Sequence, residues 1–147
     1  MTSIPAIFQA LNRARVRYLL VGGYASVVHG VPRTTLDVDL ALESEERNVG
    51  RALRALRRIG PEPETDRIDE VLGQGSVTAS NDRSVDLLTS LPETTFSDLW
   101  ERGTTVRLRR IRIPVVSRED QIRLLRAAGR PQDLDDAAVL EEMDAGD

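Results

Sequence analysis

Between Leu36 and Leu42 the chain alternates strictly. Leu36, Val38, Leu40 and Leu42 fall on one side, and Asp37 and Asp39 on the other. A period of two sustained over this stretch predicts a β-strand whose apolar face is fixed against a core. Residues two apart on a strand stand about 6.6 Å apart along it and share a face. The two carboxylates are therefore expected side by side, with little freedom to turn inward.

A second strand is read just upstream. Tyr18-Leu19-Leu20-Val21 is a short apolar run of the buried-strand kind, and it stops abruptly at Gly22-Gly23. Tyr24 to His29 reads as a short helix closed by Gly30 and Pro32. The spacing also predicts a helix over 3–13 capped by Ser3, and another from a Ser44 cap to Gly60-Pro61, followed by a loop over 61–66. A hairpin is expected over 75–89, turning near Asn81-Asp82, and then a short helix bearing Phe96, Leu99 and Trp100. Val106 to Ile113 alternates but slips phase at Arg109-Arg110, where a tight turn or bulge belongs. Ser117 with Asp120 starts a helix that ends at Gly129, and Pro131 opens the last one. Tyr18, Phe96 and Trp100 are expected in the core. The fold class is α/β of the α+β kind, a small mixed sheet flanked by helices. The length of 147 residues suits a single domain over 1–147, with a core at 17–116 and a helical tail at 117–143.

Missing residue types narrow the chemistry. Without Cys there are no disulfides, thiolate metal sites or cysteine nucleophiles. All 20 basic residues are Arg, which removes the P-loop lysine and Schiff-base chemistry. A single histidine, His29, excludes two-histidine zinc motifs. The net charge of −4 argues against general nucleic-acid binding by the chain as a whole. No apolar run reaches membrane-spanning length and the N-terminus lacks a signal-peptide core, so a cytoplasmic protein without membrane contact is expected.

What remains is carboxylates, guanidiniums, hydroxyls and a bound hard cation. Clustered carboxylates repel one another, and a divalent oxygen-seeking ion such as Mg²⁺ or Mn²⁺ relieves this while keeping phosphate oxygens in its shell. Asp86, in Ser84-Val-Asp-Leu-Leu88, is a third carboxylate on an expected strand, suited to complete a metal site with Asp37 and Asp39. Gly22-Gly23, between a strand and a helix, offers unhindered backbone N–H groups to a phosphate. Taken singly, the glycines fit a plain tight turn and the aspartates a solvated strand face. Together with Asp86, their spacing favours the metal site.

Gly22-Gly23, thirteen residues, then Asp37-x-Asp39 resembles the signature of the DNA polymerase β-type nucleotidyltransferase superfamily. The fuller string G-G-Y-A…H-G…R-T-T-x-D-x-D is similar to small bacterial nucleotidyltransferases of the abortive-infection, toxin–antitoxin type. Asp86 falls where that superfamily has its third carboxylate, and 117–136 resembles its helical end, with Arg126 where many relatives carry Lys. The resemblance implies a nucleotidyltransferase fold in which Asp37, Asp39 and Asp86 hold the metal. A nucleoside monophosphate would pass from a nucleoside triphosphate to a hydroxyl of a protein, a tRNA end or a small molecule. Gly22 and Gly23 would cradle phosphate, with Arg33, Thr35, Arg126 and Arg130 as further nucleotide contacts.

Other readings stand beside these. His29 reads as a helix-end residue bonded to backbone, and Arg33 equally as a surface residue. Arg126, Arg130, Asp133 and Asp136 also suit an ion-paired helix junction. Arg107, Arg109, Arg110 and Arg112 read as a solvated strand face, with RNA docking there as the minority reading. A non-catalytic partner in a toxin–antitoxin pair is the alternative to an enzyme. A large acceptor would need a partner protein or a second copy of the chain.

Overall fold

The computed structural model describes residues 2–146. Its first helix, α1 (Ile4–Arg13), is capped as its sequence requires: the Ser3 hydroxyl accepts from the Ala6 N–H at 3.2 Å. β1 (Tyr18–Val21) is buried at every position, because strands flank it on both edges and helices cover both faces. It passes directly into α2 (Gly22–Val28). β2 (Val38–Leu42) returns antiparallel to β1, pairing Leu20 with Leu40 and Val21 with Asp39. α3 (Glu46–Ile59), β3 (Glu62–Pro63), α4 (Ile68–Gln74) and the hairpin β4 (Ser76–Ser80) and β5 (Ser84–Leu88) follow. After α5 (Phe96–Arg102) comes a second hairpin, β6 (Thr104–Leu108) and β7 (Ile111–Val115), and then α6 (Arg118–Ala128) and α7 (Pro131–Gly146). The strand order is β3-β4-β5-β2-β1-β7-β6, with β2 parallel to β5 and β1 parallel to β7, so the sheet is mixed as expected.

The pleat separates two faces. Tyr18 lies opposite Leu42 and stacks on Phe8 of α1 with ring centroids 6.1 Å apart, so α1 and its neighbour α3 cover the face that carries Leu40 and Leu42. Asp39 points to the other face, where α2, α6 and α7 pack together. Gly129, at φ 68, ends α6 in the left-handed region and reverses the chain into α7. None of the described helices is long and apolar enough to cross a membrane.

Several local expectations give way to tertiary context. β2 begins at Val38, and Leu36 is 72% exposed instead of facing the core. The reason is pairing: β1 leaves the ladder opposite Asp39 to become α2, and the β5 pairing begins at Val38 with Val85. Leu36 and Asp37 have no strand to bond. The α3 cap is Glu45, without a side-chain hydrogen bond, and Ser44 is not the cap. The supposed loop contains β3, whose two residues add to the edge of β4, and α4 follows it. Trp100 is not core. Leu99 takes the buried position of the short α5, leaving the indole 38% exposed between Phe96, at 5.6 Å, and the Arg17 guanidinium, at 4.6 Å. The phase slip at Arg109-Arg110 is a hairpin turn, with Arg109 at φ 60.

Asn48 is buried in α3 and joins three chain segments. Its Oδ1 accepts from the Arg17 N–H at 2.7 Å, and its Nδ2 donates to the carbonyls of Arg17 and Glu43, each at 2.9 Å. Asn48→Ala strands these backbone groups and is expected to lower stability by about 2–3 kcal/mol. Urea denaturation measures it; a loss below about 0.5 kcal/mol would mean that water replaces the amide.

Candidate active site

The parallel register of β2 and β5 sets Asp39 directly beside Asp86. Both are partly buried on the α6 face of the sheet, and their carboxyl groups come within hydrogen-bonding reach of one another. Thr78, opposite Asp86 on β4, donates its hydroxyl to Asp86 Oδ1 at 2.5 Å and so fixes that carboxylate's orientation. Burial, then the hydrogen bond and charge of Asp86 and the charge of Asp37, push the Asp39 carboxyl up to about 7, while Arg130 works in the opposite direction.

Asp37 stands apart from this contact. It precedes β2 and is exposed, so the touching carboxylates are the cross-strand pair Asp39 and Asp86, not neighbours along one strand. Asp37 nonetheless lies close enough for its charge to be felt at Asp39. Among the described residues no group of three acidic or histidine side chains is gathered closely enough to hold a metal ion. Two oxygen-donor side chains, crowded and desolvated, nevertheless suit a hard divalent cation of the Mg²⁺ type, which commonly takes one or two protein carboxylates and completes its shell from phosphate and water.

Gly22 makes the close approach that this arrangement needs. It has φ 70, and a Cβ there would lie 2.1 Å from Asp39 Oδ2, so any side chain would collide with the carboxylate. Gly23 faces Arg33 and Thr35 instead: a Cβ would meet Arg33 Nη2 at 2.9 Å and Thr35 Oγ1 at 3.5 Å. Val21, the α2 cap, makes no side-chain hydrogen bond to the first turn. The glycines, Arg33 and Thr35 are thus brought together. Arg33 is no free surface residue, because its Nε and Nη2 grip the carboxylate of Asp136 on α7, the shorter bond being 2.7 Å and Asp136 almost wholly buried.

A cleft of about 280 Å³ opens beside the carboxylates. Leu88, Leu91 and Leu124 give it an apolar wall, and Arg130 stands at its edge. Arg130 is tied through Nε to Asp133 at 2.7 Å but keeps most of its side chain in solvent. Arg126 lies elsewhere: it pairs with Glu141 of α7 and lines a neighbouring depression, not this cleft. Asp133 and Asp136 serve the ion-paired helix junction that the sequence suggested, and His29 bonds the Val116 carbonyl at 2.7 Å from the end of α2.

Gln121 went unread in the sequence. It is fully buried on α6, and its Nε2 donates to the Gly22 carbonyl at 2.8 Å and to Ser26 Oγ at 3.0 Å, fixing the glycine turn from behind. Its Oε1 is buried without a partner and belongs to a side chain lining the cleft. A glutamine between Asp120 and Ile122 in a helix carries no local signal of such a role; only the packing of α6 on α2 reveals it.

No family model matches the sequence, and the curated proteins contain no match to it. Solved structures do match. The lincosamide antibiotic adenylyltransferase LnuA, in a lincomycin-bound structure, aligns with TM-score 0.64 and 20% identity over 95% of this chain and 97% of its own. A putative nucleotidyltransferase, TM1012 of Thermotoga maritima, aligns with TM-score 0.63 and 17% identity over 96% of this chain and 89% of its own. The antibiotic-resistance factor ANT(2'')-Ia, in complex with adenylyl-2''-tobramycin, gives TM-score 0.64 and 17% identity over 93% and 84%. The chain therefore has the nucleotidyltransferase fold over nearly its whole length.

Two measurements test this geometry. Gly22→Ala is expected to cost more than about 2 kcal/mol, since it adds left-handed strain to the collision with Asp39. Gly23→Ala should cost less, because the obstacle is the end of a long side chain; equal melting temperatures for the two variants would contradict this assignment. Secondly, the Asp39 carboxyl is held above its ordinary 3.8, so its proton favours the folded state. In metal-free buffer that stabilisation is full below about pH 4 and is lost as pH rises through about 7. Asp39→Asn should flatten this part of the stability–pH curve, as read by urea denaturation at each pH.

Proposed function

We propose that the chain is a nucleotidyltransferase that moves a nucleoside monophosphate from a nucleoside triphosphate to an acceptor hydroxyl, with Mg²⁺ or Mn²⁺ as cofactor. The observation that carries this reading is the in-register contact of Asp39 with Asp86 at the mouth of a cleft, with Gly22 pressed against Asp39. A pair of partly buried carboxylates in contact is costly unless something cationic shares it. Asp39 and Asp86 would hold the cation, with Asp37 adding charge nearby. Bound there, the ion supplies charge neutralisation for the phosphates and the departing pyrophosphate.

The remaining tasks fall to the chain itself. The open first turn of α2, at Gly22 and Gly23, can donate backbone N–H groups to phosphate oxygens. Arg130, at the cleft edge and largely solvated, can follow the triphosphate; Thr35 lies beside Gly23 as a hydroxyl contact. Arg33, already engaged by Asp136, holds the loop before β2 against α7 and presents its outer edge to Gly23. In the transfer, the acceptor oxygen bonds to the α-phosphorus as the bond to the bridging oxygen breaks, and pyrophosphate leaves with that electron pair. Asp86, whose carboxylate is oriented by Thr78, would take the acceptor's proton.

Two of the structural neighbours are described with an adenylyl group or as an adenylyltransferase, which makes ATP the first donor to test. Both are antibiotic-directed proteins, and the small cleft with its apolar wall favours a compact hydroxyl compound as acceptor here. A toxin–antitoxin role rests on the sequence resemblance alone.

Thermal shift with Mg²⁺ and each nucleoside triphosphate, followed by pyrophosphate release, tests the proposal. Mg²⁺ with one triphosphate should stabilise the parent. Asp39→Asn and Asp86→Asn should remove that shift and lower turnover by about 100-fold or more while remaining folded. If metal and nucleotide stabilise the Asn variants as strongly as the parent, the site lies elsewhere.

A further inference from the structure

Acidic residues outnumber basic ones by 24 to 20, and over much of the surface they neutralise the arginines. Arg17, Arg57, Arg102, Arg126 and Arg130 each reach a carboxylate. The face built by α1, α3 and the β6–β7 hairpin departs from this rule. A trough of about 390 Å³ between α1 and α3 is lined by Arg13, Arg51, Arg54 and Arg58, with alanines and Ile59 and no acid among them. A second trough, of about 550 Å³, runs between the end of α1 and the hairpin and is lined by Arg13, Arg110 and Arg112, again without an acid. Arg13 lines both, so the two adjoin at its side chain.

None of these six arginines forms a salt bridge or a side-chain hydrogen bond among the described residues, and all six are exposed. A chain that pairs its guanidiniums elsewhere leaves a run of them unpaired along one concave path. Arg51, Arg54 and Arg58 follow one another at three and four residues on one helix face, each about 5–6 Å from the next. Regular spacing of fixed positive charge suits a polymer with a charge on every unit. A concave path suits a strand more than the flat surface of a bilayer. The second trough is also lined by Gln9, the Thr105 hydroxyl and the partly exposed Trp100, which can meet base edges and ribose hydroxyls.

We infer that this face docks single-stranded RNA through its phosphate backbone. The surface lies across the sheet from Asp39, because α1 packs on the face carrying Leu40 and Leu42. Docking there is therefore separate from the chemistry proposed for the cleft and does not rest on it. Each guanidinium that meets a phosphate releases counterions, so binding must weaken steeply with salt.

Fluorescence anisotropy with a short labelled single-stranded RNA, across a series of NaCl concentrations, tests the inference. The parent should bind at low salt, with affinity falling linearly on a log–log plot. The triple variant Arg51→Gln, Arg54→Gln, Arg58→Gln should bind at least about tenfold more weakly and reduce the salt slope by about 2, at roughly 0.7 per phosphate contact. Arg112→Glu tests the second trough separately and should also weaken binding. Both variants alter exposed side chains, and unchanged circular-dichroism melts establish that they fold. Asp39→Asn should bind RNA as the parent does, which separates failure here from failure of the catalytic reading. No RNA binding at low salt, or a folded triple variant that binds like the parent, overturns the inference. So does equal or tighter binding of a polyglutamate peptide, anionic vesicles or a second copy of the chain.

Discussion

The parallel pairing of β2 with β5 governs the front of this molecule. It places Asp39 and Asp86 at the same level of adjacent strands, where their side chains must share one space. Burial, with the hydrogen bond and charge of Asp86, raises the proton affinity of Asp39, and neighbouring residues are arranged around that conflict. Thr78 donates a hydroxyl to one of them, and Gly22 leaves room for the other. Arg130 contributes a positive charge at the edge of the same cleft. The site is an electrostatic tension held by the pairing of the sheet.

Rigidity on that side depends on the two C-terminal helices. α6 is attached to the glycine turn through Gln121, and α7 to the loop before β2 through Arg33 and Asp136. α6 is further tied to α5 by Asp120, whose carboxylate, 2% exposed, accepts from Arg102 at 2.8 Å and from Arg123. Those cations hold the Asp120 carboxyl below its ordinary range despite burial. Removing the half-exposed arginines would strand the buried Asp120 carboxylate. Their effect here is geometric: they determine where the helices sit relative to the carboxylates.

The two faces of the sheet carry opposite electrostatics. Carboxylates converge on the α6 face, whereas unpaired guanidiniums line the α1–α3 face and the adjoining hairpin. A net charge of −4 conceals this division completely. The fold makes it possible, since the pleat sends successive β2 residues to opposite sides and each side receives its own helices.

Much of this was legible in the chain itself. The apolar run of β1, the glycine pair after it, the alternation of β2 and the capping signals at Ser3, Ser117, Gly129 and Pro131 are local effects of sterics and hydrogen bonding, and each acts where its residues stand. The aspartates and glycines were legible as candidates for the same reason. Tertiary structure decided which of them meet. Alternation alone extends the strand to Leu36, yet a strand needs neighbours, and β1 and β5 provide none before Val38. Asp86 meets Asp39 through a register between segments far apart in sequence, and Asp37 is left on the loop. Gln121 and Asn48 acquire their roles from backbone groups that other elements bring to them. Local pattern determines which residues can form an element; only long-range pairing and packing determine which side chains share a site.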